Sequence, residues 1–416
     1  MTADAVARLA GRSVLVDHLY LHLPFCERRC PYCDFAVVVG RGADTDAFLA
    51  ALEREADLWA GAGVRLGTSS PVDGTAARST AAVSPPADDS PADGGSAVRT
   101  LYLGGGTPSW LSPADLERLL AWIGRTWGSE WTEATCEVNP EHADPERLAV
   151  LRSGGITRIS LGAQSFSAPV LRRLGRVHTP ADIDTAAGRI TGAGFALSLD
   201  LIFGAPEQTR ADWEADIERA LALRPDHLSL YGLTWEEGTL FTRRRDRGRL
   251  TERDQEWLAA AYESAVAALR PAGHERYEVS NFARPGAEAV HNRAYWTGAS
   301  WLGLGPSAHS HLAGLRIANQ RELEAWQSSL LEGGRLPWAE VEEPDELARC
   351  RERVLLGLRT AAGLNLDRIP EVYREGILAR SEATIARGLA RREAERIVLT
   401  DAGMLLADEL ALRLAP

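Results

Sequence analysis

Three cysteines crowded into one short loop place the strongest constraint on this chain. Cys26, Cys30 and Cys33 form a C-x3-C-x2-C pattern directly after an apolar, strand-like segment, HLYLHLPF. Three thiolates on one loop can bind three irons of a cubane iron–sulfur cluster, which leaves the fourth iron open to a substrate. The alternatives are three structural cysteines or a zinc loop, but zinc usually takes four ligands in paired C-x2-C units, and the sequence has no second pair. The pattern therefore predicts a [4Fe–4S] cluster.

The composition is that of an ordinary soluble protein and argues against several classes of function. Of the 416 residues, 45% are hydrophobic and 25% are charged, which is enough apolar mass for a large core. The net charge of -12 disfavours a nucleic-acid partner, because phosphate binding needs clustered cations. The five cysteines do not suggest a disulfide framework, and an oxygen-sensitive cluster fits the reducing cytosol. Without a secretion signal or an apolar run of ~20 residues, we expect a cytoplasmic protein with no integral membrane segment.

Six strand-like runs alternate with amphipathic, helix-like stretches between Leu15 and Leu233. The runs are DHLYLHL, RTLYLGGG, ATCEVNP, TRISLGAQ, ALSLDLIFG and DHLSLYGL. Such strand-then-helix units predict an α/β fold with a parallel sheet, which either opens as a doubly wound sheet or curls into a barrel. Ligands of these folds bind at the C-terminal ends of the strands, where this sequence gathers GGGTP, EVNPE, GAQSF and DLIFG. We expect one shared site at the strand tips.

Composition also divides the chain into a barrel, an insertion and a C-terminal region. In residues 61–98, Ala, Gly, Ser and Pro supply 24 of 38 positions, and such a segment buries too little apolar surface to offset its ordering entropy. We predict a disordered insertion there, with a functional tether as the alternative. From about Pro344 the pattern is helical and ends in a short hairpin, which is typical of a winged-helix-like module. The predicted domains are residues 1–60 with 99–310 (barrel) and residues 311–416 (C-terminal domain).

A series of short motifs resembles, in the same order, those of one known family. The motifs are HLPFC, CPYCDF, GGGTPS, EVNPE, SLGAQSF, GRVH, LDLIFGAPEQT, YEVSNFARPG and HNRAYW. The family comprises the oxygen-independent coproporphyrinogen III oxidases and their close relatives, the haem chaperones, which are radical S-adenosylmethionine proteins. The resemblance runs from about residue 18 to the C-terminus, apart from the insertion. It implies a partial (β/α)6 barrel with a winged-helix-like C-terminal domain, and an open iron that chelates S-adenosylmethionine.

The resemblance assigns cofactor contacts to residues around the first two strands. Gly105, Gly106 and Thr107 belong to GGGTP, the segment that contacts the amino group of S-adenosylmethionine in the family. Glycines there let the backbone approach a ligand closely, although a lone glycine triplet is more often a turn. Tyr20 resembles an aromatic residue that touches the cofactor, with a core tyrosine as the alternative. Tyr32 matches a position near a second cofactor site of the oxidase.

Four further polar residues are implied to contact the cofactor. Glu137 and Gln164 end the third and fourth predicted strands, where they could orient ribose hydroxyls or an ammonium group, or cap the next helix. Arg176 could bind a carboxylate through two hydrogen bonds, or it could be a solvated charge. Asp200 interrupts an apolar strand, where a carboxylate is costly unless it is paired or faces a ligand.

His291 is the candidate haem ligand. It lies in HNRAYW, a motif associated with haem in the chaperone branch, within a stretch that resembles loops over a site. Histidine is a common axial ligand of haem, and the neighbouring aromatic residues could pack against a porphyrin. A hydrogen-bonded structural histidine is the alternative.

Two departures from the oxidase pattern favour the chaperone branch. The oxidase has a further cysteine where this sequence has Phe35, and it has a long extension before the residue that matches Tyr20, which only 19 residues precede here. The prediction is therefore a haem chaperone that binds a [4Fe–4S] cluster, S-adenosylmethionine and haem and passes haem to acceptor proteins. Acceptors could include membrane haem proteins reached by peripheral contact. The alternative is an oxygen-independent coproporphyrinogen III oxidase, and whether S-adenosylmethionine is cleaved stays open.

Overall fold

The computed structural model describes residues 14–40, 44–66 and 99–416. The described strands are β1 (Val14–Val16), β2 (His18–Leu23), β3 (Phe25–Cys26), β4 (Val38–Val39), β5 (Val64–Leu66), β6 (Thr100–Gly105), β7 (Glu133–Val138), β8 (Arg158–Gln164), β9 (Ala196–Phe203), β10 (His227–Gly232), β11 (Glu275–Arg276), β12 (Asn281–Ala283), β13 (Trp301–Leu304), β14 (His309–Leu312), β15 (Leu315–Asn319), β16 (Trp338–Glu342), β17 (Leu364–Asn365), β18 (Ala390–Glu393) and β19 (Arg396–Leu399).

The described α-helices are α1 (Thr45–Gly61), α2 (Pro113–Trp127), α3 (Pro145–Ser153), α4 (Ala168–Arg173), α5 (Pro180–Gly192), α6 (Arg210–Ala222), α7 (Leu240–Arg245), α8 (Gln255–Leu269), α9 (Val290–Thr297), α10 (Leu323–Leu331), α11 (Glu346–Leu358), α12 (Glu371–Ala386), α13 (Asp401–Met404) and α14 (Ala407–Leu414). Helices α5 and α6 begin with capping boxes, in which a threonine before the helix and an aspartate three residues later satisfy each other's backbone N–H groups. None of the described helices is long and apolar enough to cross a membrane.

Twelve strands form one mixed sheet in the order β11-β12-β10-β9-β8-β7-β6-β2-β13-β14-β15-β16. The seven strands from β10 to β13 run parallel, and the strands beyond them at both ends are antiparallel. Residues of β6 and β10 line one cavity although three strands separate them, so the sheet curls into a partial barrel. The predicted α/β fold is confirmed, and all six predicted runs are strands of the parallel part.

The seventh parallel strand, β13, is not among the six predicted runs. It is four residues long and pairs with β2. Gly303 in its middle lies so close to the next strand that a Cβ atom there would come within 2.1 Å of the His309 carbonyl oxygen. A short strand whose central residue must be glycine has little alternation to detect, and so the pattern reads as a loop.

The two faces of the parallel strands differ in polarity. Leu19, Leu21 and Leu23 of β2 are fully buried and belong to the main hydrophobic core. The alternate residues point to the opposite face, as the period of two requires, and there polar groups meet across strands. His18 hydrogen-bonds to Thr100, and Ser160 donates to Asp200. The barrel interior is therefore polar, while its outer face packs against the helices.

The end of the chain forms a separate hydrophobic core. Cys350, Val354, Leu358, Ile377 and Ile397 are buried in it, and the small sheet β17-β19-β18 flanks the helices. The predicted helices and terminal hairpin are thus present. The predicted boundary after residue 310 falls within strand β14, and the large sheet extends to Glu342, so the division into domains stays a prediction.

The predicted insertion, residues 61–98, begins earlier than the part that the structure leaves undescribed. Gly61 ends helix α1, and Val64–Leu66 form strand β5, which pairs in parallel with β1. Residues 67–98 lie outside the described residues.

Candidate metal and cofactor site

The C-terminal ends of the parallel strands surround a cavity of about 680 Å³. Eleven of the thirteen predicted site residues line it: Cys26, Cys30, Tyr32, Cys33, Gly105, Gly106, Thr107, Glu137, Gln164, Arg176 and Asp200. The other two, Tyr20 and His291, do not. Strand tips from distant parts of the chain thus meet at one site, as expected for parallel α/β folds.

The cysteine loop lies at one side of this cavity. Strand β3, which ends at Cys26, pairs with β4 and closes the base of the loop, while the Cys33 N–H donates to the Cys30 carbonyl at 3.2 Å. All three thiols are free, and Cys26 is buried. Burial raises the pKa of Cys26 to about 11 and raises the pKa of Cys33 as well, so both stay protonated until a metal releases their protons.

The donor set fits an iron–sulfur cluster better than a single metal ion. Among the described residues, no three His, Cys, Asp or Glu side chains are grouped closely enough to hold one ion. A cubane cluster places each thiolate on a different iron and therefore needs a wider spacing. Two side chains from other loops reach the sulfurs: the Thr107 hydroxyl lies 3.4 Å from the Cys26 sulfur, and an Arg176 Nη lies 3.5 Å from the Cys30 sulfur.

Close packing explains the glycines of GGGTP. A Cβ atom on Gly105 would lie 2.7 Å from the His22 ring, and the backbone there has φ of +111°. A Cβ atom on Gly106 would lie 2.7 Å from the Phe25 carbonyl oxygen. The tip of β6 can therefore pass beside the cysteine loop only because these side chains are absent.

Two carboxyl groups form the floor of the cavity. Glu137 accepts hydrogen bonds from the Tyr102 hydroxyl at 3.0 Å and from the Gly105 N–H at 3.2 Å. Burial, with a smaller contribution from the negative charge of Asp200, raises the pKa of Glu137 to about 8. Burial also raises the pKa of Asp200, which accepts from the Ser160 hydroxyl at 2.9 Å. With a pKa of about 8, Glu137 can either donate to or accept from a bound hydroxyl group.

Gln164 and Arg176 occupy the wall next to the cysteine loop. Gln164 ends β8 beside an irregular register and has φ of +64°, which is unusual for a residue other than glycine; such backbone outliers cluster at functional sites. Arg176 is held by the Asn139 side-chain oxygen at 2.5 Å and the Gly162 carbonyl at 3.2 Å. Asn139 was not singled out from the sequence, although its place in EVNPE, directly after a strand, is the signal that could have found it.

The two predicted tyrosines are in different surroundings. Tyr32 lines the cavity and packs its ring against Phe241 at 6.1 Å between centroids. Tyr20 lies within the barrel, where its hydroxyl is 3.1 Å from a His22 ring nitrogen and its ring is 6.1 Å from that of Tyr102. It supports Tyr102, which does line the cavity and which the sequence did not single out.

His291 lies at the opposite end of the barrel. It is 1% exposed, and its Nδ1 is 2.7 Å from the Thr100 hydroxyl at the start of β6, whereas the cavity lies at the end of that strand. Its Nε2 is 2.8 Å from the Tyr295 hydroxyl. Burial lowers the pKa of His291 to about 3. In this arrangement neither ring nitrogen is free to bind an iron, and HNRAYW is not a loop over the cavity.

Comparisons with known proteins show what this chain is similar to. The model of the radical SAM superfamily matches residues 92–220. A protein of Mycobacterium tuberculosis named heme chaperone HemW is 38% identical over 395 residues, which cover 94% of this chain and 92% of that protein. The Bacillus subtilis protein of the same name is 32% identical over 398 residues, which cover 94% of this chain and 97% of its own length.

A solved structure shares the fold along the whole chain. Coproporphyrinogen III oxidase (HemN) from Escherichia coli, described as a radical SAM enzyme, superposes with a TM-score of 0.77 at 23% sequence identity. The match covers 100% of this chain and 92% of the oxidase chain. At this identity the likeness establishes the fold, including the C-terminal region.

Proposed function

This chain belongs to the HemW family of radical SAM proteins, and on that premise we propose that it is a haem chaperone. In this proposal it holds a [4Fe–4S] cluster, binds S-adenosylmethionine beside the cluster, captures haem and passes the haem to acceptor proteins. The observation that carries the proposal is that three free cysteines and eight predicted cofactor contacts line one cavity. We infer that this cavity is the working site.

Cys26, Cys30 and Cys33 are the proposed cluster ligands. They are free thiols on one loop, and two of their sulfurs already have a polar neighbour from outside that loop. The other two cysteines, Cys136 and Cys350, are buried in strand β7 and helix α11, away from the loop. They serve as internal controls for the cluster assignment.

Residues at the strand tips are the proposed contacts for S-adenosylmethionine. When bound, this cofactor and the cluster supply one-electron radical chemistry. The Gly106 and Thr107 backbone offers close approach, and the Glu137 and Asp200 carboxyl groups offer hydrogen bonds to hydroxyls. Arg176 provides a guanidinium for a carboxylate. These roles come from the resemblance and the chemistry of each group.

We propose that haem binds at the mouth of the same cavity rather than at His291. Haem presents a flat apolar ring and carboxylates, so its site should combine apolar surface with cations. Phe35 and Val177 line the cavity with exposed fractions of 64% and 43%, so they present apolar surface at its mouth. Arg28 and Arg29 line it as well. An exposed phenyl ring can pack on the porphyrin while a guanidinium pairs with a carboxylate.

The proposed partners are haem and haem-accepting proteins, and the proposed location is the cytoplasm. Free thiols beside an open cavity need a reducing compartment to load and keep a cluster. We extend the acceptors to membrane haem proteins, which the chaperone would reach by peripheral contact.

Anaerobic reconstitution tests this function. We expect about four irons per chain in the wild type, saturable haem binding, and transfer of haem to apomyoglobin as a probe acceptor. Replacing Cys26, Cys30 and Cys33 together by Ala should abolish the cluster absorption, whereas the control variant Cys350→Ala should keep it. Phe35→Ala and Arg29→Ala should each weaken haem binding without lowering the iron content.

The same samples separate the chaperone from the oxidase. Incubated anaerobically with coproporphyrinogen III, S-adenosylmethionine and a reductant, the wild type should form no protoporphyrinogen. Turnover to protoporphyrinogen would replace the chaperone with the oxidase. A full cluster in the triple variant would remove the proposed ligands, and a wild type that binds no haem would sink the chaperone proposal.

A further inference from the structure

Two side chains from outside the cysteine loop are directed at the sulfurs of the proposed cluster ligands. Thr107 follows the tip of β6, and Arg176 precedes helix α5. We propose that these two residues are positioning residues that donate hydrogen bonds to the Cys26 and Cys30 thiolates and so raise the reduction potential of the cluster. The inference rests on the cluster of the proposed function and assigns a role that the cofactor contacts do not contain.

The Thr107 hydroxyl faces the Cys26 sulfur and makes no capping hydrogen bond to the backbone. Thr107 precedes the short 3₁₀ helix Pro108–Trp110, a position where a threonine side chain commonly accepts a backbone hydrogen bond, yet here it makes no such bond. Its backbone is fixed, since its N–H donates to the Phe25 carbonyl at 2.8 Å. The hydroxyl lies 3.4 Å from the Cys26 sulfur. Once Cys26 is a thiolate, the hydroxyl is the only group of the pair that can donate.

Two hydrogen bonds hold one Nη of Arg176 in place, and the other Nη faces Cys30. One Nη donates to Asn139 and to the Gly162 carbonyl, while the other lies 3.5 Å from the Cys30 sulfur. No carboxylate lies within ion-pair distance of this guanidinium among the described residues, because the neighbouring Glu141 is paired with His178 at 3.3 Å. A partly buried cation is stabilised by an anion. Before S-adenosylmethionine binds, the Cys30 thiolate is the anion within reach of Arg176.

The third sulfur has a donor of a different kind. Cys33 accepts from the backbone N–H of Phe35 within the same loop, a bond that survives substitution of the Phe35 side chain. The Tyr32 hydroxyl, within the loop, also hydrogen-bonds to Cys30. The side-chain donors from outside the loop, Thr107 for Cys26 and Arg176 for Cys30, can be changed one at a time.

Hydrogen bonds to the sulfurs should favour the reduced cluster. Reduction adds negative charge that is shared with the thiolates, so a donor stabilises the reduced form more than the oxidised form. Removing a donor should therefore lower the potential. Arg176 carries a full charge and Thr107 only a dipole, so loss of the arginine donor should have the larger effect.

The test is a reductive titration of the reconstituted protein, without S-adenosylmethionine or haem, followed by electron paramagnetic resonance of the reduced cluster. Thr107→Val removes the hydroxyl at nearly constant shape, and Thr107→Ser keeps it. Arg176→Met removes the donor and the charge, and Arg176→Lys keeps the charge. Arg173→Met is the matched control, because Arg173 is on the adjoining helix and pairs with Glu207.

We expect lower potentials for Thr107→Val and Arg176→Met, with the larger shift in the latter, and wild-type potentials for Thr107→Ser and Arg173→Met. The potential of Arg176→Lys should lie between those of Arg176→Met and the wild type.

Wild-type potentials in both donor-free variants would overturn the inference, as would an equal shift of the potential in Arg173→Met. If the donor-free variants fail to load iron while Thr107→Ser and Arg176→Lys load it, the potential of Arg176→Lys decides: a value below that of the wild type supports the inference, and a wild-type value overturns it. If the conservative variants also fail, shape rather than hydrogen bonding is responsible, and the inference falls. Absence of a four-iron cluster in the wild type would instead defeat the proposed function.

Discussion

Glu55 is a carboxyl group sealed inside the protein on helix α1. It accepts hydrogen bonds from the Gly305 N–H at 2.9 Å, the Asn319 side-chain amide at 2.6 Å and the Trp326 indole at 3.1 Å. Burial is the largest influence and raises the pKa of Glu55 to about 8, although these donors oppose the shift. The folded protein thus holds a proton on Glu55 that the unfolded chain releases at lower pH.

This proton predicts a loss of stability at alkaline pH. The pKa of Glu55 rises from 4.5 in the unfolded chain to about 8 on folding, so its contribution is complete below pH 4.5 and is lost as the pH rises through about 8. The free energy of unfolding should fall by up to about 1.4 kcal/mol per pH unit across this window. Urea unfolding of wild type and Glu55→Gln at acidic and alkaline pH should show a weaker pH dependence in the variant.

Glu53→Gln is the control, because Glu53 is exposed on the same helix. It should keep the pH dependence of the wild type. An unchanged pH dependence in Glu55→Gln would mean that the three donors keep Glu55 ionised.

The sequence predicts the position of some of these carboxyl groups and not of others. Glu137 and Asp200 could be predicted because they lie in parallel strands, whose ends must meet. Glu55 could have been suspected, because it falls on the same helical face as Phe48, Leu52 and Trp59, all of which are buried. Nothing in the letters around it, however, reveals the three donors, which come from residues about 250 positions away.

At the scale of elements, helix α9 gives HNRAYW a structural role. The Glu133 carboxylate accepts from the N–H groups of Val290 and His291 at 2.9 and 3.0 Å, and so caps the start of the helix. Asn292 donates to the Tyr277 hydroxyl at 3.1 Å. These contacts tie the helix to the N-terminal ends of the barrel strands, opposite the cavity.

This placement predicts that His291→Ala acts on stability and not on haem. The substitution removes the partner of the Tyr295 hydroxyl and one of the two partners of the buried Thr100 hydroxyl, so the free energy of unfolding should fall by about 1–3 kcal/mol. Haem titration and iron content should match those of the wild type. Tyr295→Phe, which removes one of the two bonds, should show a smaller loss by urea unfolding. If His291→Ala lost haem binding at unchanged stability, His291 would return as the axial ligand.

Elements with a repeated pattern could be predicted, and those set by distant contacts could not. Strands β2 and β9 show their apolar alternation openly, and helices α2 and α6 begin at visible caps, Ser112 and Thr209. The position of α9 depends on Glu133, which lies 157 positions before Val290, and on Tyr277, which lies outside the motif. The motif letters indicate that the helix matters, but they do not tell which end of the barrel it covers.

At the scale of the whole molecule, the two ends of the barrel differ. One end opens into the cavity with the cysteine loop. The other end is covered by α9 and by the C-terminal region, where the Ala361 N–H donates to the Tyr277 carbonyl at 2.9 Å and an Arg368 Nη lies 3.3 Å from the Thr297 carbonyl. A ligand of the polar barrel interior therefore enters from the cysteine side, and the proposed function uses this one opening for cluster, cofactor and haem.

Strand β5 lies within the predicted insertion but belongs to the fold, and we expect that the rest of the insertion can be deleted. Residues 67–98 keep the composition that predicted a disordered insertion, whereas Val64 is buried and pairs with Val14. Leu66 and Arg99 line the same surface groove, so a linker of about eight Gly and Ser residues should reach between them.

Replacing residues 67–98 by this linker should change the free energy of unfolding by less than about 0.5 kcal/mol and leave the iron content unchanged. Replacing 61–98 also removes β5 and should cost about 1.5–3 kcal/mol or more, because the burial of Val64 is lost. Equal stability of the two deletions in urea unfolding would show that β5 contributes nothing, and a large loss in the shorter deletion would make residues 67–98 structural.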